Sequence, residues 1–367
     1  MKDVARLLEG KRICVCAGSG GVGKTTTAAA IAAGMAARGK RVAVLTIDPA
    51  KRLADSLGLA ELGNTERRVD DALLRDAGIE SDSGELWAMM LDAKATFDEV
   101  VREHAPDAQT RERILDNRIY QQLSTALAGS QEYMAMEKLF EIHAEGRFDL
   151  LVLDTPPTRN ALDFLDAPRR LTQFIEGRAL QVFMKPTGFG MRAFGRGTSV
   201  VFSVLRRVTG VDLLEDLAEF FQAFGGMVGG FQERAKRVTE MLADPQTSFL
   251  VICGPQSEPI SEAVFFHRKL LEARMPVGGV IVNRVHPEAR GKAPRSKLAE
   301  ALGDQDLARR VGENHGDFRA LADRDRRNIE LLIDEIEIDP VIEVPLLDED
   351  VHDLEGLMEI NRHLFST

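Results

Sequence analysis

The sequence predicts an α/β fold: a doubly wound, mostly parallel sheet carrying long helical insertions. Three observations predict it. Seven short apolar runs are almost continuously apolar, as strands buried on both faces are. Helix-like stretches separate most of these runs. One glycine-rich turn follows the first run directly and opens a helix.

The runs are Ile13–Ala17, Val42–Ile47, Leu86–Leu91, Leu150–Leu153, Phe249–Cys253, Val277–Val282 and Val341–Val344. Helical stretches between them include Thr25–Arg38 and Glu262–Ala273. Two regions, about 95–146 and about 167–246, hold helical periodicity and no strand run. Each falls between sheet strands, so both are predicted as helical insertions in one domain spanning 1–367. No internal repeat occurs, and the glycine-rich motif occurs once, which excludes a tandem of two similar halves.

Composition narrows the function classes. The 367 residues are 44% hydrophobic and 29% charged, a globular composition with ample chain for a core. Asp and Glu number 58 against 47 Lys and Arg, a net charge of -11 that repels nucleic-acid backbones. No run of 18 apolar residues predicts a membrane span, and the opening MKDVARLLEGKR lacks the apolar stretch of a secretory signal. Cys14, Cys16 and Cys253 sit in apolar runs and are expected as buried, reduced thiols of a cytoplasmic chain.

The glycine-rich turn carries the chemistry. Residues 18–27 read GSGGVGKTTT, in which Gly18, Gly23, Lys24 and Thr25 satisfy G-x-x-x-x-G-K-[ST]. Glycines let successive backbone N–H groups turn inward around phosphates, and the following helix adds the positive end of its dipole. Gly20, Gly21, Val22, Gly23, Lys24, Thr25 and Thr26 are thus the expected nucleotide cradle. Lys24 reaches the β- and γ-phosphates, and the Thr25 hydroxyl is a Mg²⁺ ligand.

Two strand ends supply carboxylates. Val42–Ile47 leads into Asp48-Pro49-Ala50, which places Asp48 on the ligand side of such a sheet. From there Asp48 either orients and deprotonates an attacking water or simply caps a turn before proline. Leu150–Leu153 ends in Asp154-Thr155-Pro156, a Walker B pattern in which Asp154 holds Mg²⁺ through water.

Together these segments resemble one family, the arsenical pump-driving ATPases and the cytosolic ATPases that target tail-anchored membrane proteins. The segments are GSGGVGKTT (18–26), DPAKRLADSLG (48–58), LAGSQEYMAMEKL (127–139), DTPPTRNALDFLDAP (154–168), VIVNRV (280–285) and VPLLDEDVHDLEGL (344–357). They span nearly the whole chain. The resemblance implies a P-loop NTPase fold of the SIMIBI-like branch, with the helical insertions forming a client-binding subdomain. It implies ATP and Mg²⁺ as cofactors and an ATPase reaction yielding ADP and phosphate. Asp48 is then the catalytic carboxylate of switch I, with Lys24 as its catalytic cation. Thr155 and Pro156 belong to switch II. Asn283 contacts adenine, and Pro345, Leu346 and the residues to Asp350 form the loop over the base. Read without the resemblance, Asn283 is an ordinary turn former.

The sequence also departs from the family pattern. The signature lysine of GKGGVGKT, which reaches across a dimer to the partner's phosphates, is Ser19 here. The zinc-holding C-x-x-C is missing between Val282 and Val341, so no zinc is expected. The GHT of the family's DTAPTGHT is Arg159-Asn160-Ala161.

The second insertion has an unusual character. Residues 178–211 hold Arg178, Lys185, Arg192, Arg196, Arg206 and Arg207, with no acidic residue. Apolar side chains, among them Phe189, Met191 and Phe194, run between four glycines. This reads as a mobile apolar surface for a client helix or membrane protein, a partner subunit or a membrane surface. By contrast, the stripe Phe220, Phe221, Phe224, Met227, Val228 and Phe231 has the spacing of a packed helix face.

The function expected first is an ATP-hydrolysing dimeric molecular switch that couples nucleotide state to a hydrophobic client or partner. The dimer is a homodimer or a heterodimer with a paralogous ATPase. The first alternative, motivated by Ser19, is a catalytically weak nucleotide-binding chaperone or scaffold subunit of a heterodimer. The second is a membrane-partitioning ATPase, disfavoured by the long helical insertions.

Overall fold

A computed structural model describes residues 3–47, 51–79, 84–118, 120–121, 130–155, 220, 227–288, 295–336 and 340–365. Its eight strands are β1 (Ile13–Ala17), β2 (Arg41–Thr46), β3 (Arg67–Arg68), β4 (Glu85–Met90), β5 (Leu150–Asp154), β6 (Thr247–Cys253), β7 (Val277–Val285) and β8 (Val341–Pro345). They form one sheet in the order β3-β4-β2-β5-β1-β6-β7-β8. All pairs are parallel except β3 with β4.

All seven predicted runs are strands. The eighth strand, β3, was not legible because it is two exposed arginines on the sheet edge, held by cross-strand bonding rather than by an apolar signal.

Helices cover both faces, and strand alternation sends each residue to one of two cores. Odd-numbered residues of β1 (Ile13, Val15, Ala17) join one core, whereas Cys14 and Cys16 join the other. Over the second core lie α1 (Val4–Leu7), α2 (Lys24–Ala36), α3 (Arg52–Ser56) and α4 (Asp71–Asp76). Over the first lie α5 (Ala93–His104), α6 (Ala108–Asp116), α7 (Ser130–Glu145), α8 (Val228–Ala243) and α9 (Ser257–Glu272). Then follow α10 (Arg295–Leu302), α11 (Gln305–Ile336) and α12 (Leu354–Leu364), the last packed against α2 on the second core.

The helix predicted from Glu262 starts at Ser257 instead, since Pro259 falls in its first turn, where a missing N–H costs nothing.

Within the first insertion the described residues include α5, α6 and α7. In the second, Phe220, Met227 and Phe231 are buried, so these members of the stripe pack inward. Phe231 stacks on Phe97 of α5, and Phe220 meets Tyr120. Phe189, Met191 and Phe194, and the basic stretch around them, lie outside the described residues, as do Asp48 and Pro156.

Helix α11 is unequal along its length. Its C-terminal half buries Ala322, Asp325, Ile329, Leu332 and Ile336 on one face. The same face continues as Leu307, Val311 and Phe318, all exposed, and residues 309–320 include no buried side chain. Among the described residues no helix is long and apolar enough to cross a membrane.

Candidate functional site

Sheet parity gathers the site on one face. Val42 and Val44 of β2, Leu150 and Val152 of β5 and Ile281 of β7 point toward the α2 side. Counting on by two puts Thr46, Asp154 and Asn283 on that same side, at the carboxyl ends of their strands. Ligands of open α/β sheets bind at this edge.

The turn between β1 and α2 needs its glycines. Gly18 lies so close to the Ile252 carbonyl of β6 that a Cβ there would collide with it. Gly23 caps α2 in the left-handed region at φ 89°, and a Cβ would strike the Asn283 amide. No side chain caps the N-terminus of α2 and no acidic residue sits in its first turn. A helix start of this kind, its dipole unopposed by an acidic residue in its first turn, suits an anion.

Lys24 is almost buried, and its Nζ donates to the Ser19 carbonyl at 2.8 Å, folding back across the loop. Ser19 is half-buried, and its hydroxyl has no hydrogen-bond partner among the described residues. Thr25 Oγ1 donates to Asp154 Oδ2 at 2.7 Å, and Thr46 Oγ1 donates to the same oxygen at 2.9 Å. Asp154 is fully buried. Thr155 pins the end of β5 to β1, its backbone N–H and hydroxyl both donating to the Cys16 carbonyl.

At the end of β7, Asn283 Nδ2 donates to the Val22 carbonyl at 2.9 Å. Arg284 Nη1 donates to the Gly21 carbonyl at 3.1 Å. Beyond them, His286 gives Asp325 of α11 two bonds, from its backbone N–H at 3.1 Å and its Nδ1 at 2.6 Å. Burial pushes the Asp325 carboxyl up, but hydrogen bonds from His286 and Arg324 outweigh it and hold the carboxyl below its usual value. Pro345 ends β8 opposite Val285, and the next N–H, from Leu346, donates to the Val285 carbonyl at 2.8 Å.

The cysteines are buried and free. The Cys16 thiol is raised by its hydrogen bond with Cys14 and by burial, and burial pushes Cys253 up to about 12. Thiolate chemistry at neutral pH is thereby disfavoured at both.

The structure thus brings together Gly18–Thr25, Asp154, Thr155 and Asn283. Four residues around this group, Thr46, Arg284, His286 and Asp325, were not read from the sequence. Thr46 had a signal, being the one polar residue in Val42–Ile47. Arg284 and the His286–Asp325 pair had none, since charged residues after a strand and within a polar helix are commonplace.

The description Anion-transporting ATPase belongs to a family model that matches residues 11–366. A putative arsenical pump-driving ATPase 1 of Aquifex aeolicus is 27% identical over 289 residues, 76% of this chain and 64% of that protein. An ATPase get3 of Schizosaccharomyces japonicus is 25% identical over 302 residues, 82% of each chain. An ATPase GET3 of Malassezia globosa is 21% identical over 352 residues, 95% of this chain and 89% of that one. With a match across almost its entire length, the chain belongs to the anion-transporting ATPase family and is an ATPase.

Proposed function

We propose that this chain is an ATP-hydrolysing molecular switch that works as a dimer and couples nucleotide state to binding of a hydrophobic client or partner protein. The observation that carries this reading is the convergence of Lys24, Thr25, Thr46 and Asp154 on one uncapped helix N-terminus.

The donor set suits Mg²⁺. Two hydroxyls meet one buried carboxylate oxygen, all hard oxygen ligands, and Thr25 and Asp154 would hold the ion, Asp154 through water. When bound, Mg²⁺ neutralises the phosphate charge. The chain's own residues do the rest. Amides of 20–26 cradle the phosphates, and Lys24 exchanges the Ser19 carbonyl for β- and γ-oxygens. Asp48 orients a water and takes its proton as the water oxygen bonds to the γ-phosphorus. The bond to the ADP oxygen breaks, leaving ADP and phosphate. Asn283, Pro345 and Leu346, on neighbouring strand ends, flank the space assigned to the base. Thr155 and Pro156 follow Asp154 directly, so a shift of the carboxylate on hydrolysis is passed into the insertion that holds Phe189, Met191 and Phe194.

The exposed apolar side chains Leu307, Val311 and Phe318 of α11 support a protein partner, which we assign as a second ATPase chain. The name of one relative, an arsenical pump-driving ATPase, favours a role in which hydrolysis serves another protein.

Ser19 favours a second reading, a slow subunit completed by a paralogue. A phosphoryl-transfer transition state gains from each cation aimed at it, and Ser19 offers none. Phosphate release by the isolated chain, with its mass in solution, separates the two. Ser19→Lys is expected to raise turnover about tenfold or more if a cation from the facing subunit is missing. Fast wild-type turnover, unchanged by the substitution, rejects the missing cation and the slow-subunit reading with it.

A further inference from the structure

We infer that Arg284, with Asn283 beside it, is a positioning residue of the ATP site that holds the outward carbonyls of the phosphate loop. The inference rests on the proposed reading of that loop as the ATP site.

A peptide plane that turns its N–H into a cradle turns its C=O away from it. The loop carbonyls therefore need partners on their outer side, and their hold on those partners sets where the amides point. Gly21 and Val22 have such partners in two consecutive residues, Arg284 and Asn283.

Consecutive residues of a regular strand point to opposite faces. Here they do not, for two visible reasons. Arg284 adopts φ 63°, a left-handed conformation uncommon for a residue with a side chain. The pairing of β7 with β8 also shifts register between Asn283 and Val285. Such a bulge re-aims side chains, and here it turns both donors onto one loop. The strand end is fixed behind them, by His286 on Asp325 and by the Leu346 N–H on the Val285 carbonyl. The Arg284 side chain is exposed and packs on no core. A strained backbone carrying an exposed arginine is hard to explain by stability alone.

The test uses the full chain with Mg²⁺ and three ligands: ATP, ADP and tripolyphosphate, which carries phosphates and no base. Arg284→Ala is expected to weaken all three about five- to tenfold, as loss of one solvent-exposed hydrogen bond of about 1 kcal/mol does. The same loss appears as a raised KM for ATP, with kcat within about twofold. Arg284→Lys, which keeps a cationic donor, restores most of the affinity. Arg284→Gly relieves the left-handed strain, so its Tm holds or rises while its affinity falls as in the alanine variant.

Affinities within twofold of wild type in both the alanine and glycine variants overturn the inference. So does a loss confined to ATP and ADP with tripolyphosphate unaffected, which would put Arg284 on the base. Failure of the underlying reading looks different: the wild type itself then binds no nucleotide through the loop, and Lys24→Ala changes nothing.

Discussion

Lys24→Ala is expected to weaken Mg-ATP and Mg-ADP binding a hundredfold or more. The ammonium is nearly out of water and anchored across the loop on the Ser19 carbonyl, so it is presented to phosphate with little left to reorganise. A charge-assisted bond to phosphate at such a position is worth up to about 3 kcal/mol, which is more than a hundredfold in affinity. The fold should survive, because alanine suits the first turn of a helix that already reads KTTTAAAIAAGMA. Titration calorimetry of the variant, alongside its Tm, checks this. Equal affinity in a folded variant removes the loop from the nucleotide site.

Asp48→Asn is expected to bind Mg-ATP within a few-fold of wild type yet lose turnover by about a hundredfold or more. The amide keeps the size of the carboxylate but cannot accept the water's proton, and a general base contributes about 10²- to 10⁴-fold. Binding should persist because the proposed phosphate contacts come from the loop and Lys24, with Asp48 assigned to the water. Single-turnover phosphate release with a parallel titration reads both quantities. Unchanged turnover moves the catalytic carboxylate elsewhere; lost binding makes Asp48 part of the nucleotide cradle.

Much of the sheet was legible because parallel strands buried on both faces leave an unbroken apolar run. Leu150–Leu153 and Phe249–Cys253 are of this kind, and both lie in the sheet's centre. The edge strand Arg67–Arg68 left no such trace, since an edge needs neither apolar face nor length. The turn between β1 and α2 was marked in the sequence by its motif, because a phosphate cradle tolerates few residue types. Gly18 and Gly23 are required by contacts with Ile252 and Asn283 that only the fold reveals, yet the motif had already marked both.

What the sequence hid was partnership across distance. Thr46 shares a carboxylate oxygen with Thr25 through the register of β2 with β5, a relation no local pattern encodes. Asn283 was assigned to adenine, and the structure adds that its amide is engaged with the loop at Val22. Arg284 reaches the loop only through a bulge and a left-handed backbone, neither of which has a sequence signature in a non-glycine residue.

The most direct measurement is a crystal structure of the chain with Mg²⁺ and a non-hydrolysable ATP analogue. The triphosphate is expected against the backbone amides of residues 20–26, with the Lys24 ammonium moved from the Ser19 carbonyl onto phosphate oxygens and the Thr25–Asp154 hydrogen bond replaced by a shared metal ion. A nucleotide seated elsewhere, with Lys24 still on Ser19 and Thr25 still on Asp154, contradicts the assignment of this loop as the ATP site.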